Sequence, residues 1–177
     1  MFIFFFSSYC CMEIELVVLE VDKSAIISKL LELGAKKVFE ADMKQVQYVS
    51  GDLKIRVREE GDKILFNLKK PVKDAEFKMS EEYEVEVQDY EKMNTILSHL
   101  PLKFKRTLNK HRESYKLGTV KFEFDTYQDE HSFVPTFVEL EGENKDDLYE
   151  AAEKVGFEKE SLTSLSTSQI IKHYSKK

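Results

Sequence analysis

Ile14, Leu16 and Val18 alternate with Glu13 and Glu15, and this two-residue period predicts a strand over Glu13–Glu20 with one apolar and one charged face. The same extended pattern recurs over Val38–Val49, Asp52–Glu60, Lys63–Lys70, Glu81–Val87, Lys103–Thr107, Lys110–Lys116, Thr119–Tyr127 and Val134–Glu141. Gly61-Asp62 and Leu117-Gly118 supply turns between neighbouring strands. Elsewhere the period lengthens to that of a helix. Asp22 caps a helix running to about Leu33, with Ile26, Ile27, Leu30 and Leu31 on its apolar side and Gly34 as its stop. A second covers Tyr90–Leu100, with Met93, Ile96, Leu97 and Leu100 inward, and ends before Pro101. A third covers Asn144–Val155, with Asp146 and Asp147 in its first turn and Gly156 at its end. Ser166–Tyr174 predicts a last short helix. Many antiparallel strands and a few helices place the chain in the α+β class.

The polar positions of these strands are sorted by sign. Glu13 and Glu15 share one strand face, as do Glu139 and Glu141; Arg56 and Arg58, then Lys110 and Arg112, do the same for positive charge. Ile55 and Val57 alternate with Arg56 and Arg58, and Phe122 and Phe124 with Glu123 and Asp125. If the apolar faces pack under helices, the charged faces point into the middle of a curved sheet or barrel, and a barrel of about eight strands can hold a small ligand. The alternative is an ordinary sheet with its polar side in water. Like charges side by side are mildly unfavourable, however, and opposite signs are the usual neighbours. Acidic pairs suit a hard divalent cation and basic pairs suit phosphate, so the pattern points to a metal-dependent polyphosphate site.

The bulk properties narrow the setting. At 177 residues, 42% hydrophobic and 34% charged, the chain is expected to form one globular domain. A net charge of −6 argues against general nucleic-acid binding. Residues 1–11, MFIFFFSSYCC, do not match the patterned remainder of the chain. The apolar run is too short to span a bilayer and lacks the basic flank of a secretory signal. Either Met12 is the natural start or the segment is an apolar extension; its mismatch with the folded pattern favours the first. No membrane association is expected. Cys10 and Cys11 are the only cysteines, giving neither a disulfide framework nor a zinc spacing, so a reducing, cytoplasmic location is expected. His99, His111, His131 and His173 form no ligand pair.

Taken in order, Glu13-Ile-Glu15, Ile55-Arg56-Val-Arg58-Glu-Glu-Gly61, Phe66-Asn-Leu-Lys69-Lys-Pro71, Glu81-Glu-Tyr-Glu84-Val-Glu86, Lys110-His-Arg112-Glu-Ser-Tyr115, Phe124-Asp125 and Phe137-Val-Glu139-Leu-Glu141 resemble the CYTH family, the triphosphate tunnel metalloenzymes. The resemblance covers residues 12 to about 174, and residues 12–177 are expected to be a single CYTH-like domain. It implies an eight-stranded antiparallel β-barrel with flanking helices and a charged tunnel. It assigns Glu13, Glu15, Glu139 and Glu141 to Mg²⁺ or Mn²⁺, and Arg56, Arg58, Lys69, Lys110 and Arg112 to the triphosphate. Glu82, Glu84 and Asp125 become further tunnel acids, which either face metal or balance the basic groups. The implied ligand is a triphosphate-bearing small molecule such as ATP, thiamine triphosphate or tripolyphosphate, bound by a monomer or homodimer. The family's opening motif is Glu-x-Glu-x-Lys, and here the lysine position is Val17, which leaves the catalytic residue unassigned. A triphosphatase is the leading reading. A class IV adenylyl cyclase making cyclic AMP and pyrophosphate, and a non-catalytic triphosphate-binding module, are the alternatives.

Overall fold

The alternating segments become the staves of a closed barrel in a computed structural model that describes residues 11–72 and 79–176. Residues 1–10, with Cys10, and residues 73–78 lie outside the described residues. The strands are β1 (Cys11–Val18), β2 (Lys36–Ser50), β3 (Leu53–Glu60), β4 (Lys63–Pro71), β5 (Met79–Val87), β6 (Lys103–Leu117), β7 (Val120–Tyr127) and β8 (Phe137–Gly142). Helices are α1 (Lys23–Glu32), α2 (Tyr90–Ser98), α3 (Lys145–Val155) and α4 (Thr167–Tyr174). The order around the barrel is β1-β5-β4-β3-β2-β6-β7-β8, and β1 closes on β8 with Glu15 opposite Glu141 and Val17 opposite Glu139. All pairings are antiparallel. No helix among the described residues is long and apolar enough to cross a membrane.

The apolar strand faces point outward and the helices cover them. Ile14, Leu16, Val18, Phe122, Phe124, Val138 and Leu140 pack with Leu30 of α1 and Leu148, Ala151, Ala152 and Val155 of α3. On the other side, Tyr48, Ile55 and Val57 pack under Tyr90 and Leu97 of α2. Fully burying such side chains contributes roughly 1.5–3 kcal/mol each, which fixes the strand register and with it the inward charged face. Caps define the helix ends: Asp22 accepts from Ala25 N–H, Asp89 from Lys92 N–H and Asn144 from Asp146 N–H. Gly156 ends α3 at φ 93°, in the left-handed region where glycine carries no Cβ penalty.

A third cluster fills one end of the barrel interior. Val17, Tyr127 and Phe137 point inward and pack against Ile170 and Tyr174 of α4. Val17 and Thr163 exchange two backbone hydrogen bonds, of 2.7 and 2.9 Å, and Tyr174 Oη donates to Glu20 at 2.9 Å. The end of the chain is thereby fastened across the barrel end beside its first strand.

Three details differ from the sequence reading. The segments Lys103–Thr107 and Lys110–Lys116 are one strand, because the ladder to β2 carries Leu108 and Asn109 without a break. Asn109 is a poor strand former, but pairing overrides that preference. Val134 precedes β8 rather than opening it; Pro135 lacks the N–H a ladder needs, and Val134 packs into the end cluster instead. Leu31, Ile96 and Leu100 are exposed, since each short helix buries only the narrow stripe centred on Leu30 or Leu97.

Outside the barrel, Glu113 of β6 pairs with Lys23 of α1 and with Lys37 of β2, the latter at 3.1 Å. Burial opposes ionisation of Glu113, but hydrogen bonds from the two lysines outweigh it and hold the carboxyl down at about 2. A depressed carboxylate stabilises the fold above its unfolded value of 4.5, and that contribution disappears as the pH falls through about 2. Glu113→Gln is therefore expected to cost about 1 kcal/mol near neutrality, a figure kept small because Lys37 is solvent-screened. The gap between variant and wild type in urea titrations should close as the pH drops below 4; a gap independent of pH would contradict this account.

Candidate functional site

The inward charged faces enclose a cavity of about 430 Å³, within the range of small-molecule sites. Each strand contributes by its period-two alternation. Glu13 and Glu15 come from β1, Arg56 and Arg58 from β3, Lys69 from β4, and Glu82 and Glu84 from β5. Lys110 and Arg112 come from β6, and Glu139 and Glu141 from β8. All of these are singled out by the sequence. Asp125, also singled out, sits behind the lining at 1% exposure and touches the basic residues rather than the cavity.

Two groups of carboxylates emerge, not one. Glu13 and Glu15 gather with Glu82, while Glu139 and Glu141 gather with Glu123; within each group one oxygen per residue lies within 4.8 Å of the others. Three oxygen donors at such spacing fit a hard divalent ion such as Mg²⁺ or Mn²⁺. Burial, then the nearby Glu141 and Glu82, push the Glu13 carboxyl up to about 7. That shift marks a place where negative charge is crowded and a cation would be favoured. Glu123 was not assigned from sequence. Its signal was the Lys121-x-Glu123-x-Asp125 spacing, which puts all three on the inward face of β7. Asn67 was also missed: it accepts from Arg56 Nη2 at 2.9 Å and donates to Glu82 at 3.2 Å, linking a cation to an acid.

The basic residues form the facing surface. Arg112 donates to Asp125 through Nε and Nη2, both at 2.6 Å, reaches Glu139 at 3.0 Å, and also pairs with Glu123. Lys110 Nζ donates to Asp125 at 2.6 Å. Enclosure, then the neighbouring Arg112, bring Lys110 down to about 8, while Arg112 and Lys110 outweigh burial to hold Asp125 down at about 2. Asp125 thus balances two cations, the role its depth dictates. Lys69 pairs with Glu15 and Glu82. Arg58 pairs with Glu60 at 2.8 Å and Glu84 at 3.0 Å, and Arg56 lies 3.6 Å from Glu82. His111 points outside the barrel, 2.9 Å from Asp42, and clusters there with Glu40 and Glu113.

Val17 occupies the next inward position after Glu15 but does not line the cavity. It is 0% exposed, inside the apolar cluster that fills the barrel end.

The same barrel occurs in solved structures of low sequence identity. The PH1012 protein of Pyrococcus horikoshii OT3 is 23% identical and superposes with a TM-score of 0.76, over 89% of this chain and 97% of that one. A conserved protein of Pyrococcus furiosus is 20% identical, with a TM-score of 0.77 over 89% of this chain and 99% of that one. The Hippeastrum protein HpAC1, whose structure is described as revealing a dominant triphosphatase activity, is 16% identical. Its TM-score is 0.57, over 92% of this chain and 95% of that one. No curated protein matches the sequence significantly. The CYTH domain model matches residues 12–174, from the first strand of the barrel to the last residue of α4, and the chain accordingly belongs to the CYTH domain family.

Proposed function

We propose that this protein is a divalent-metal-dependent enzyme that binds a linear triphosphate in the barrel and hydrolyses a phosphoanhydride bond. The observation that carries the reading is the pairing, in one cavity, of two three-carboxylate groups with a facing set of arginines and lysines. The activity named for the Hippeastrum protein supports hydrolysis within the family.

Arg56, Arg58 and Arg112 offer planar forks to phosphate oxygens, and Lys69 and Lys110 act as compact point charges. Their acid partners hold these side chains in place, so little ordering remains to be done when phosphate arrives. Glu13, Glu15 and Glu82 would hold one ion, and Glu123, Glu139 and Glu141 a second. When bound, such an ion neutralises charge on the phosphate oxygens and supplies Lewis-acid assistance. Phosphoryl transfer depends mainly on positioning and charge stabilisation, which these groups provide without a side-chain nucleophile.

Assays of purified protein with ATP, thiamine triphosphate and tripolyphosphate, each with Mg²⁺ or Mn²⁺, test the proposal. Orthophosphate is the expected product. Cyclic AMP with pyrophosphate would replace hydrolysis by cyclisation, and binding without any product would leave a binding module. Glu139→Gln is expected to raise the metal concentration for half-maximal activity by about tenfold or more. An unchanged metal requirement would remove Glu139 from the ion site.

A further inference from the structure

The register of β6 against β2 slips between Gln47 and Tyr48, both of which line the cavity. Gln47 pairs with Arg106 and Tyr48 with Phe104, so Lys105 is an extra residue with no opposite number. Such a bulge breaks the alternation and re-aims a side chain. In regular alternation with Lys110 and Arg112, Lys105 would point outward; with the bulge it lines the cavity.

Lys105 also differs from the other cations there. Arg56, Arg58, Lys69, Lys110, Arg112 and Lys121 each have an acid partner, and Lys54 is also engaged. Lys105 has no hydrogen-bond or ion-pair partner among the described residues. Its side chain is exposed, and slight desolvation with the adjacent Arg106 pulls it below the ordinary lysine range. Its neighbour Arg106 donates to Ser168 Oγ at 2.7 Å, which sets Lys105 beside the start of α4, where Ser166, Thr167 and Ser168 line the same cavity.

Lys105 and Lys110 are separated by about 16 Å of strand, at ~3.3 Å per residue. Lys105 therefore reaches the cavity at a different level along β6 from Lys110 and Arg112. We propose that Lys105 extends the basic track toward α4 and holds an additional terminal phosphate, so that the cavity accepts linear polyphosphates longer than a triphosphate. The inference rests on the triphosphate-binding reading above and adds a chain-length preference to it.

Calorimetric titration of wild type, Lys105→Ala and Lys105→Arg with tripolyphosphate and tetrapolyphosphate tests it. Lys105→Ala is expected to weaken tetrapolyphosphate binding by about tenfold and tripolyphosphate binding by less than about twofold, and Lys105→Arg to retain the preference. Equal losses for the two anions would overturn the proposal, since Lys105 would then contribute only general positive charge. So would no loss for either. Failure of the wild type to bind either anion would remove the parent reading as well, whereas wild-type binding of both with no selective loss removes the chain-length inference alone.

Discussion

Arg112→Ala is expected to destabilise the barrel by about 3–5 kcal/mol, because it leaves buried acids without their counter-ion. Glu123 and Glu139 lose a shared partner, and Asp125 keeps only Lys110. For a chain of this size the fall in Tm should be on the order of 10 °C. Arg112→Lys should recover little, since one ammonium cannot reach the three carboxylates that a planar guanidinium spans. Added tripolyphosphate should raise the Tm of the wild type through binding to the native state and raise that of Arg112→Ala much less. Thermal scans of the three proteins, with and without the anion, check both parts. A variant as stable as the wild type would mean that the acids around Arg112 are held by something else. Equal ligand-induced shifts would remove Arg112 from the phosphate surface.

Val17→Lys is the second large effect, and its sign follows from where Val17 sits. Restoring the family's lysine from the sequence alone suggests a gain of turnover. In the fold, Val17 is enclosed by Tyr127, Phe137, Ile170 and Tyr174. An ammonium there loses its water inside an apolar cluster, and its cross-strand neighbour Glu139 is already held by Arg112, so the change costs several kcal/mol unless the side chain escapes. The expected result is a lower Tm and no increase in hydrolysis, accompanied by loosening of α4 that faster amide exchange at Ile170 and Ile171 would register. An unchanged Tm together with a large rise in turnover would show that the lysine turns into the cavity and is the group the reaction lacks.

Much of this arrangement was legible in the chain because strand geometry is periodic. Glu13, Glu15, Arg56, Arg58, Glu139 and Glu141 announce a common face through two-residue spacing alone, and the eight-stranded barrel expected from the family resemblance is the fold found. What remained hidden depends on neighbours distant in sequence. Glu123 joins Glu139 and Glu141 only through the pairing of β7 with β8. Asp125 carries the same alternation as Glu123, yet it lies behind Arg112 rather than in the cavity, a matter of depth that spacing does not encode. Lys105 was invisible because a bulge suspends the rule by which faces were assigned. In the sequence Val17 reads as a gap in a charged motif, and its role in closing the barrel end depends on a helix some 150 residues later, by number in the sequence.

The closing seam between β1 and β8 also has a consequence for biosynthesis. Ile14–Val18 pairs with Val138–Gly142, so the ring cannot shut until β8 has left the ribosome. Contacts of such long sequence separation form late and slowly. Until then Glu13 and Glu15 have no Glu139 or Glu141 beside them. The group of Glu123, Glu139 and Glu141 is thus created in one late event, and a nascent chain stalled before β8 should lack that group while still able to bring Glu13 and Glu15 to Glu82.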